Sequence, residues 1–288
     1  MLSVTIALMR ALHCILPLAG AALLTATHAF AQEPLTSTFD EDWLKSVVSI
    51  EVLTSPTNSQ PIGTGFFLLT PSGRTAVLTA KHVVVEPNTT NIRRGLAYRL
   101  NTKDASSYLL NDDAVLPVLG KWILSTNADV AIRLLSWASN SVIASLPVYV
   151  MLARTNIQAG APIIVLGFPM GLRSEDHPVP ILRKGVIARS DPGNLIADCF
   201  VFPGNSGGPV FYLPYVRIGV GFKNPMHNEQ KLLGLVSSEI SYVEDAYSPQ
   251  TLRKRITFEE NSGLCNVVPT DSIRELMDYT DFKRLDNQ

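Results

Sequence analysis

The chain is poor in cysteine, with three in 288 residues, at positions 14, 199 and 265. So few exclude a scaffold stapled by several disulfides, and no metal-ligand set or cofactor is expected. Long runs of basic residues are also missing: 24 Lys and Arg stand against 25 Asp and Glu, a net charge of -1. Without a basic stripe there is no electrostatic footprint for nucleic acid. No repeat of 20–50 residues recurs and no segment is low in complexity, which excludes solenoid arrays and disordered tracts. What remains is a weakly acidic chain, 46% hydrophobic, with enough apolar residues for one large core or two small ones.

One apolar run approaches membrane length. Residues 11–27 are almost wholly apolar or small, follow Arg10, and lead to Ala29-Phe30-Ala31. That order matches an export signal cleaved after Ala31, leaving Gln32 first. An uncleaved anchor is the competing reading, against which stand Thr25, Thr27, His28 and the small residues at the cleavage site. An exported, periplasmic or secreted protein is therefore expected, with no membrane contact after cleavage. Cys14 leaves with the signal. Cys199 and Cys265 either pair, for roughly 2–4 kcal/mol of stabilisation, or sit as small buried thiols.

Strand patterns dominate the rest. Residues 47–53, 64–69, 76–78, 128–134, 162–166, 180–188, 197–202, 209–212, 218–222 and 232–236 are short apolar runs bounded by Gly, Pro, Asn or Asp. Many short strands with such punctuation predict an all-β sandwich or barrel. Helical patterns are confined to Asp40–Leu44 and to Ile273–Met277, where Thr270 or Asp271 is placed to cap. The expected division is a signal at 1–31, an extension at 32–42, one β half at 43–140, and a second at 141–288 with the terminal helix. Ser136–Ser141 marks the connection.

Phe202-Pro203-Gly204-Asn205-Ser206-Gly207-Gly208-Pro209 places one serine among glycines. A serine hydroxyl needs a base to act as a nucleophile, and histidine suits that role. His82 follows the apolar run Val77-Leu78-Thr79-Ala80, whereas His177 and His227 sit in loop-like sequence. An orienting acid must be partly buried; Asp129, within Asn127-Ala128-Asp129-Val130-Ala131-Ile132, fits better than Asp104, Asp112 or Asp113. The amides of Gly204, Asn205 and Ser206 can converge on one point, where an oxyanion would sit. Gly204-x-Ser206-x-Gly208 also satisfies an α/β-hydrolase elbow. That fold needs an acid and then a histidine after the serine; here no acid lies between Ser206 and His227, and βαβ alternation is absent.

The order His82, Asp129, Ser206 resembles the trypsin-like, chymotrypsin-fold serine peptidases, in their HtrA-like and glutamyl-endopeptidase-like branch. The matching pieces are Gly63-Thr64-Gly65-Phe66-Phe67, Leu78-Thr79-Ala80-Lys81-His82, Asp129-Val130-Ala131 and Gly204-Asn205-Ser206-Gly207-Gly208-Pro209, with weaker matches at Gly167-Phe168-Pro169 and Leu232–Ser238. The resemblance implies two six-stranded antiparallel β-barrels with the site between them. It makes His82 the general base and acid, Asp129 its orienter and Ser206 the nucleophile, with Gly204 and Ser206 amides in the oxyanion hole. A polypeptide substrate would add as a strand along Leu235, Val236, Ser237 and Ser238. Two departures stand out. Asn205 replaces the Asp that receives a freed amine in digestive relatives, so no activation cleavage is expected. The eight residues 281–288 are too few for the appended peptide-binding domain of HtrA-like proteins, so a bare protease domain is expected.

The segment Phe200-Val201-Phe202 has no acid to receive Arg or Lys, and Leu232–Ile240 has no histidine to receive Glu. An apolar or small residue before the cut is the resulting expectation. The reading from another class is an inactive protease scaffold serving as a binding module. Oligomeric state is not legible.

Overall fold

The computed structural model describes residues 39–55, 58–114, 120–174, 176–213 and 229–288. The expected export signal, His227 and the run at 218–222 lie outside these. Two β-sheets carry the fold, as the strand punctuation predicts.

The first sheet holds β1 (Val47–Leu53), β2 (Ser59–Leu69), β3 (Thr75–Thr79), β4 (Leu96–Asn101), β5 (Ser107–Asn111), β6 (Ile123–Leu124), β7 (Ala131–Leu134) and β8 (Leu146–Pro147). Its order is β5-β4-β1-β2-β3-β7-β6, with β8 joined to β2. Six strands of four or more residues carry this sheet, and two two-residue pairings are added at β6 and β8. The second sheet is a closed six-stranded barrel, β10-β11-β14-β13-β12-β9. Its strands are β9 (Pro162–Gly167), β10 (Ile181–Asp191), β11 (Asn194–Asp198), β12 (Pro209–Tyr212), β13 (Lys231–Tyr247) and β14 (Lys254–Pro269). This is the all-β, chymotrypsin-like fold.

Alternation along β9 shows how the halves share a core. Ile163 and Val165 point into the barrel with Val210, Leu233 and Val267, while Ile164 and Leu166 turn to the core of the first sheet. Because side chains alternate on a strand, a fully apolar run serves two cores at once. Terminal helices α2 (Thr270–Met277) and α3 (Thr280–Asp286) join the first core through Ile273, Leu276 and Phe282.

Several expectations shift. Neither Thr270 nor Asp271 caps α2, whose N-cap is Pro269 without a side-chain bond. Instead the Thr270 hydroxyl donates to Leu152 O at 2.6 Å and Asp271 accepts from Arg154 N at 2.7 Å, tying the helix to the segment entering the barrel. The strand expected over 197–202 ends at Asp198, and the one over 232–236 continues to Tyr247. Beyond Ile240, β13 pairs with β14 only, and both carry charge on exposed positions. The apolar residues there, Tyr242, Val243 and Tyr247 on β13 and Ile256 and Phe258 on β14, are exposed and face no core. Cys199 and Cys265 are buried free thiols, with Cys265 pushed up to about 12 mainly by burial.

Buried charge fastens the first sheet. Glu51 of β1 is fully buried and accepts from Arg99 of β4 at 2.8 and 3.1 Å, and from the Ser59 hydroxyl. Arg173, from the segment after β9, approaches it at 3.0 Å. Burial opposes ionisation of this carboxyl, but the bonds from Arg99 and Ser59 outweigh it and hold its pKa below the ordinary value.

Candidate active site

His82 is the second residue of a one-turn helix, α1 (Lys81–Val84), directly after β3. Asp129 lies not within a strand but on the bend at 126–129, two residues before β7. The Ser125 hydroxyl accepts the amides of Asn127 and Ala128 at 3.2 and 3.1 Å, shaping that bend. Lys81 donates to Ser125 O at 2.9 Å, which clamps the bend against α1. The result is a close pair: His82 Nδ1 to Asp129 Oδ2 at 2.8 Å, and His82 N donating to Asp129 Oδ1 at 3.0 Å. The carboxylate thus fixes both the ring and the backbone of the histidine.

A third partner is legible only in the fold. The Ser237 hydroxyl donates to Asp129 Oδ2 at 2.6 Å, and Ser237 O accepts from Ser206 Oγ at 3.2 Å. Ser237 is the extra residue of a bulge, since Val236 pairs with Val267 and Ser238 with Asn266. Bulges re-aim side chains next to sites, and here one residue reaches the carboxylate and the serine together. Burial opposes ionisation of Asp129, yet the bonds from His82 and Ser237 prevail and depress its pKa. Among the described residues, Ser206 Oγ bonds to Ser237 O and not to His82.

The Ser206 loop is pinned from several sides. Gly204 (φ +100°) and Gly207 (φ +84°) occupy the left-handed region. A Cβ on Gly207 would lie 2.1 Å from Thr64 O and from the Thr79 hydroxyl, and one on Gly204 would lie 2.3 Å from Phe168 O. Thr64, fully buried on β2, donates its hydroxyl to Gly204 O at 2.6 Å and its amide to Ser206 O at 2.9 Å. Gly207 N donates to Val236 O at 2.7 Å.

Asn205 departs from the expected oxyanion set. Its amide donates to Phe202 O at 2.9 Å, and its side-chain oxygen accepts Phe202 N at 3.0 Å. Its N–H is therefore committed within the loop. Among the described residues, the amides of Gly204 and Ser206 have no protein acceptor.

Of the substrate-binding candidates, Val201 and Val236 are buried in the barrel core, and Leu235 in the core shared with the first sheet. The Val236 amide and carbonyl are taken by Gly208 O and Gly207 N. Inward-facing apolar positions are needed for packing, so their side chains are not open to a substrate. Phe200 is 54% exposed, Ser237 half-buried and Ser238 exposed. His177 stays in a loop, its amide bonded to Ser174 Oγ at 3.1 Å. A cavity of about 720 Å³ lies elsewhere, between Trp122, Ile123, Tyr279 and Asp281, and no expected site residue lines it. Among the described residues no group of three His, Cys, Asp or Glu is placed to hold a metal, and no helix is long and apolar enough to cross a membrane.

Solved structures with this fold include a thermostable serine protease from an extremophilic microorganism, at 12% identity and TM-score 0.50, covering 83% of this chain and 98% of that one. A human heparin binding protein matches at 13% identity and TM-score 0.50, over 83% of this chain and 92% of its own. An HtrA-type protease solved with a tripeptide aligns at 14% identity and TM-score 0.48, over 84% of this chain; the chain spans 62% of that protein. No curated protein matches by sequence. Residues 63–214, just over half of the chain and including His82, Asp129 and Ser206, match the trypsin-like peptidase domain. By that match and this fold, the chain belongs to the trypsin-like peptidase family.

Proposed function

We propose that the protein is an exported serine endopeptidase acting through His82, Asp129 and Ser206, with a covalent acyl-enzyme. The observation that carries this reading is the His82–Asp129 pair at 2.8 Å, with Ser206 joined to the same centre through Ser237. Asp129 accepts from Nδ1, which holds the imidazole in the tautomer whose Nε2 is basic. Rotation about the Ser206 Cα–Cβ bond moves Oγ from the Ser237 carbonyl toward Nε2, a contact that substrate binding tightens.

Ser206 Oγ then attacks the carbonyl carbon of the scissile bond while His82 takes its proton. The oxyanion that forms is met by the amides of Gly204 and Ser206, each donor of this type lowering the barrier by about 3–4 kcal/mol. Collapse of the tetrahedral intermediate expels the amine, protonated by His82, and leaves an ester on Ser206. Water, deprotonated by the same imidazole, repeats the sequence and releases the acid. Because Asn205 is bonded within its own loop, the site needs no amine freed by activation cleavage. Phe200, exposed beside the loop, favours a small or apolar residue before the cut.

Export rests on residues 1–31. The alternative, an inactive binding module, draws on the Ser206–Ser237 bond, which leaves the hydroxyl away from His82. A fluorophosphonate probe separates the two. The expected result is labelling of the wild type at Ser206, with both labelling and peptide hydrolysis lost in Ser206→Ala. An unlabelled wild type that cleaves no member of a peptide library would favour the binding module.

A further inference from the structure

Strand β13 is 17 residues long and carries Ser237 near its start. Its first part is enclosed, with β12 on one edge at Lys231–Leu235 and β14 on the other. From Ser238 to Tyr247 only β14 remains, and among the described residues no strand pairs with the opposite edge. The two strands continue together, from Ser241 opposite Asn261 to Tyr247 opposite Lys254, as a ribbon standing off the barrel.

A free two-stranded ribbon is marginal in water, and this one exposes unusual apolar area. Tyr242, Val243, Tyr247, Leu252, Ile256 and Phe258 are each more than half exposed. The register puts Tyr242 opposite Glu260, Glu244 opposite Phe258 and Ala246 opposite Ile256, so Tyr242, Ile256 and Phe258 share one face with Ala246, Glu244 and Glu260. Between Val236 and Tyr247 the strand has Glu239, Glu244 and Asp245 and no Lys or Arg. Asp245 is engaged by Thr257 at 2.7 Å and Lys254 at 3.4 Å, and Glu239 accepts from Asn261 at 3.0 Å. Glu244 is left as an exposed acid beside an apolar strip.

We propose that the free edge of β13, from Ser238 to Tyr247, docks the stretch of polypeptide substrate N-terminal to the scissile bond, and selects long unfolded segments bearing apolar and basic side chains. This rests on the proteolytic reading above. A chain with its reacting carbonyl at Ser206 that adds antiparallel to β13, as β12 does on the preceding part, passes Ser238 first and then climbs the ribbon. At about 3.4 Å per residue, ten residues of edge accommodate about ten residues of substrate. Main-chain bonds then supply affinity, and the Tyr242, Ile256 and Phe258 face favours apolar residues at alternate positions. A second copy of this chain fits the edge less well, because antiparallel self-pairing brings Glu239, Glu244 and Asp245 of both strands together with no Lys or Arg on either edge to offset them.

The test uses fluorescent peptides with one common cleavable core and N-terminal extensions of zero, four or eight alternating Leu and Arg residues. Binding is measured on the Ser206→Ala protein and turnover on the wild type. The expected result is a gain of about tenfold or more in affinity and in kcat/KM from the shortest to the longest. N-methylation of every second backbone nitrogen in the extension should remove that gain in one phase and spare it in the other. Tyr242→Ser with Phe258→Ser should lose the gain while leaving the shortest peptide's turnover unchanged. Equal affinity at all lengths overturns the docking strand, even where the short peptide is cleaved and proteolysis stands. Length-dependent binding without turnover supports the strand and overturns the proteolytic reading instead. Sedimentation showing a dimer that the double variant dissociates, with no peptide effect, assigns the edge to self-association and also overturns it.

Discussion

Thr64 offers the sharpest probe of how the first sheet holds the Ser206 loop of the second. Its fully buried hydroxyl donates to Gly204 O at 2.6 Å and accepts from Phe168 N at 3.0 Å. Thr64→Val keeps nearly the same shape, so no cavity opens, but two buried backbone groups lose their partner. At about 1–3 kcal/mol for each unsatisfied group, the cost is roughly 2–6 kcal/mol, or a fall in Tm of roughly 4–24 °C for a domain of this size. The effect on turnover follows from Gly204. Glycine has unusual freedom at φ +100°, and without Thr64 the peptide beside the proposed oxyanion amides is held less firmly. A fall in kcat of about tenfold, about 1.4 kcal/mol of transition-state stabilisation, is expected with KM little changed. Thr64→Ser, which restores the hydroxyl, should recover most of kcat. The assay is steady-state hydrolysis of a fluorogenic peptide alongside thermal unfolding. A Thr64→Val protein with wild-type Tm and kcat would refute the reasoning.

Three further outcomes follow from buried polar contacts. Ser237→Ala removes one donor to Asp129 while keeping the backbone carbonyl, and a several-fold loss of kcat is expected, about 1 kcal/mol; an unchanged rate would show that His82 alone orients the carboxylate. Glu51→Gln leaves Arg99 and Arg173 without their buried anion and should destabilise by about 3–5 kcal/mol in urea unfolding, with the peptide KM unaffected in protein that stays folded. Asp129 has a folded pKa below its unfolded value, so its stabilising contribution is present above the ordinary carboxylate range and is lost as pH falls through the lower, folded value. Unfolding free energies of wild type and Asp129→Asn should therefore converge as pH drops below about 4; a constant gap from pH 7 to pH 3 would count against that assignment.

How much of this was legible in the residues differs from element to element. Val47–Leu53 and Pro209–Tyr212 were recognisable because each is a short apolar run with a clear stop. β4, β5 and β14 were not, since Tyr98, Tyr108 and Glu259 sit in mixed polar sequence whose pairing is set by distant strands. His82, Asp129 and Ser206 stood out by residue type and chain order. Ser237 did not, because nothing local distinguishes it from Ser238; only the bulge gives it its two contacts. The same holds for Asn205, whose amide could be assigned to the loop rather than the cleft only once Phe202 was seen beside it.

By itself, then, the sequence determined the β class and singled out His82, Asp129 and Ser206 as candidates, since these depend on local apolar rhythm and on which side chains exist to move a proton. Tertiary structure decided that 47 residues of separation between His82 and Asp129 close to 2.8 Å, that Val201, Leu235 and Val236 belong to the core, and that β13 runs on beyond the barrel with one bare edge. Those outcomes depend on which strand lies next to which, and pairing between distant strands is not written in any single stretch of residues.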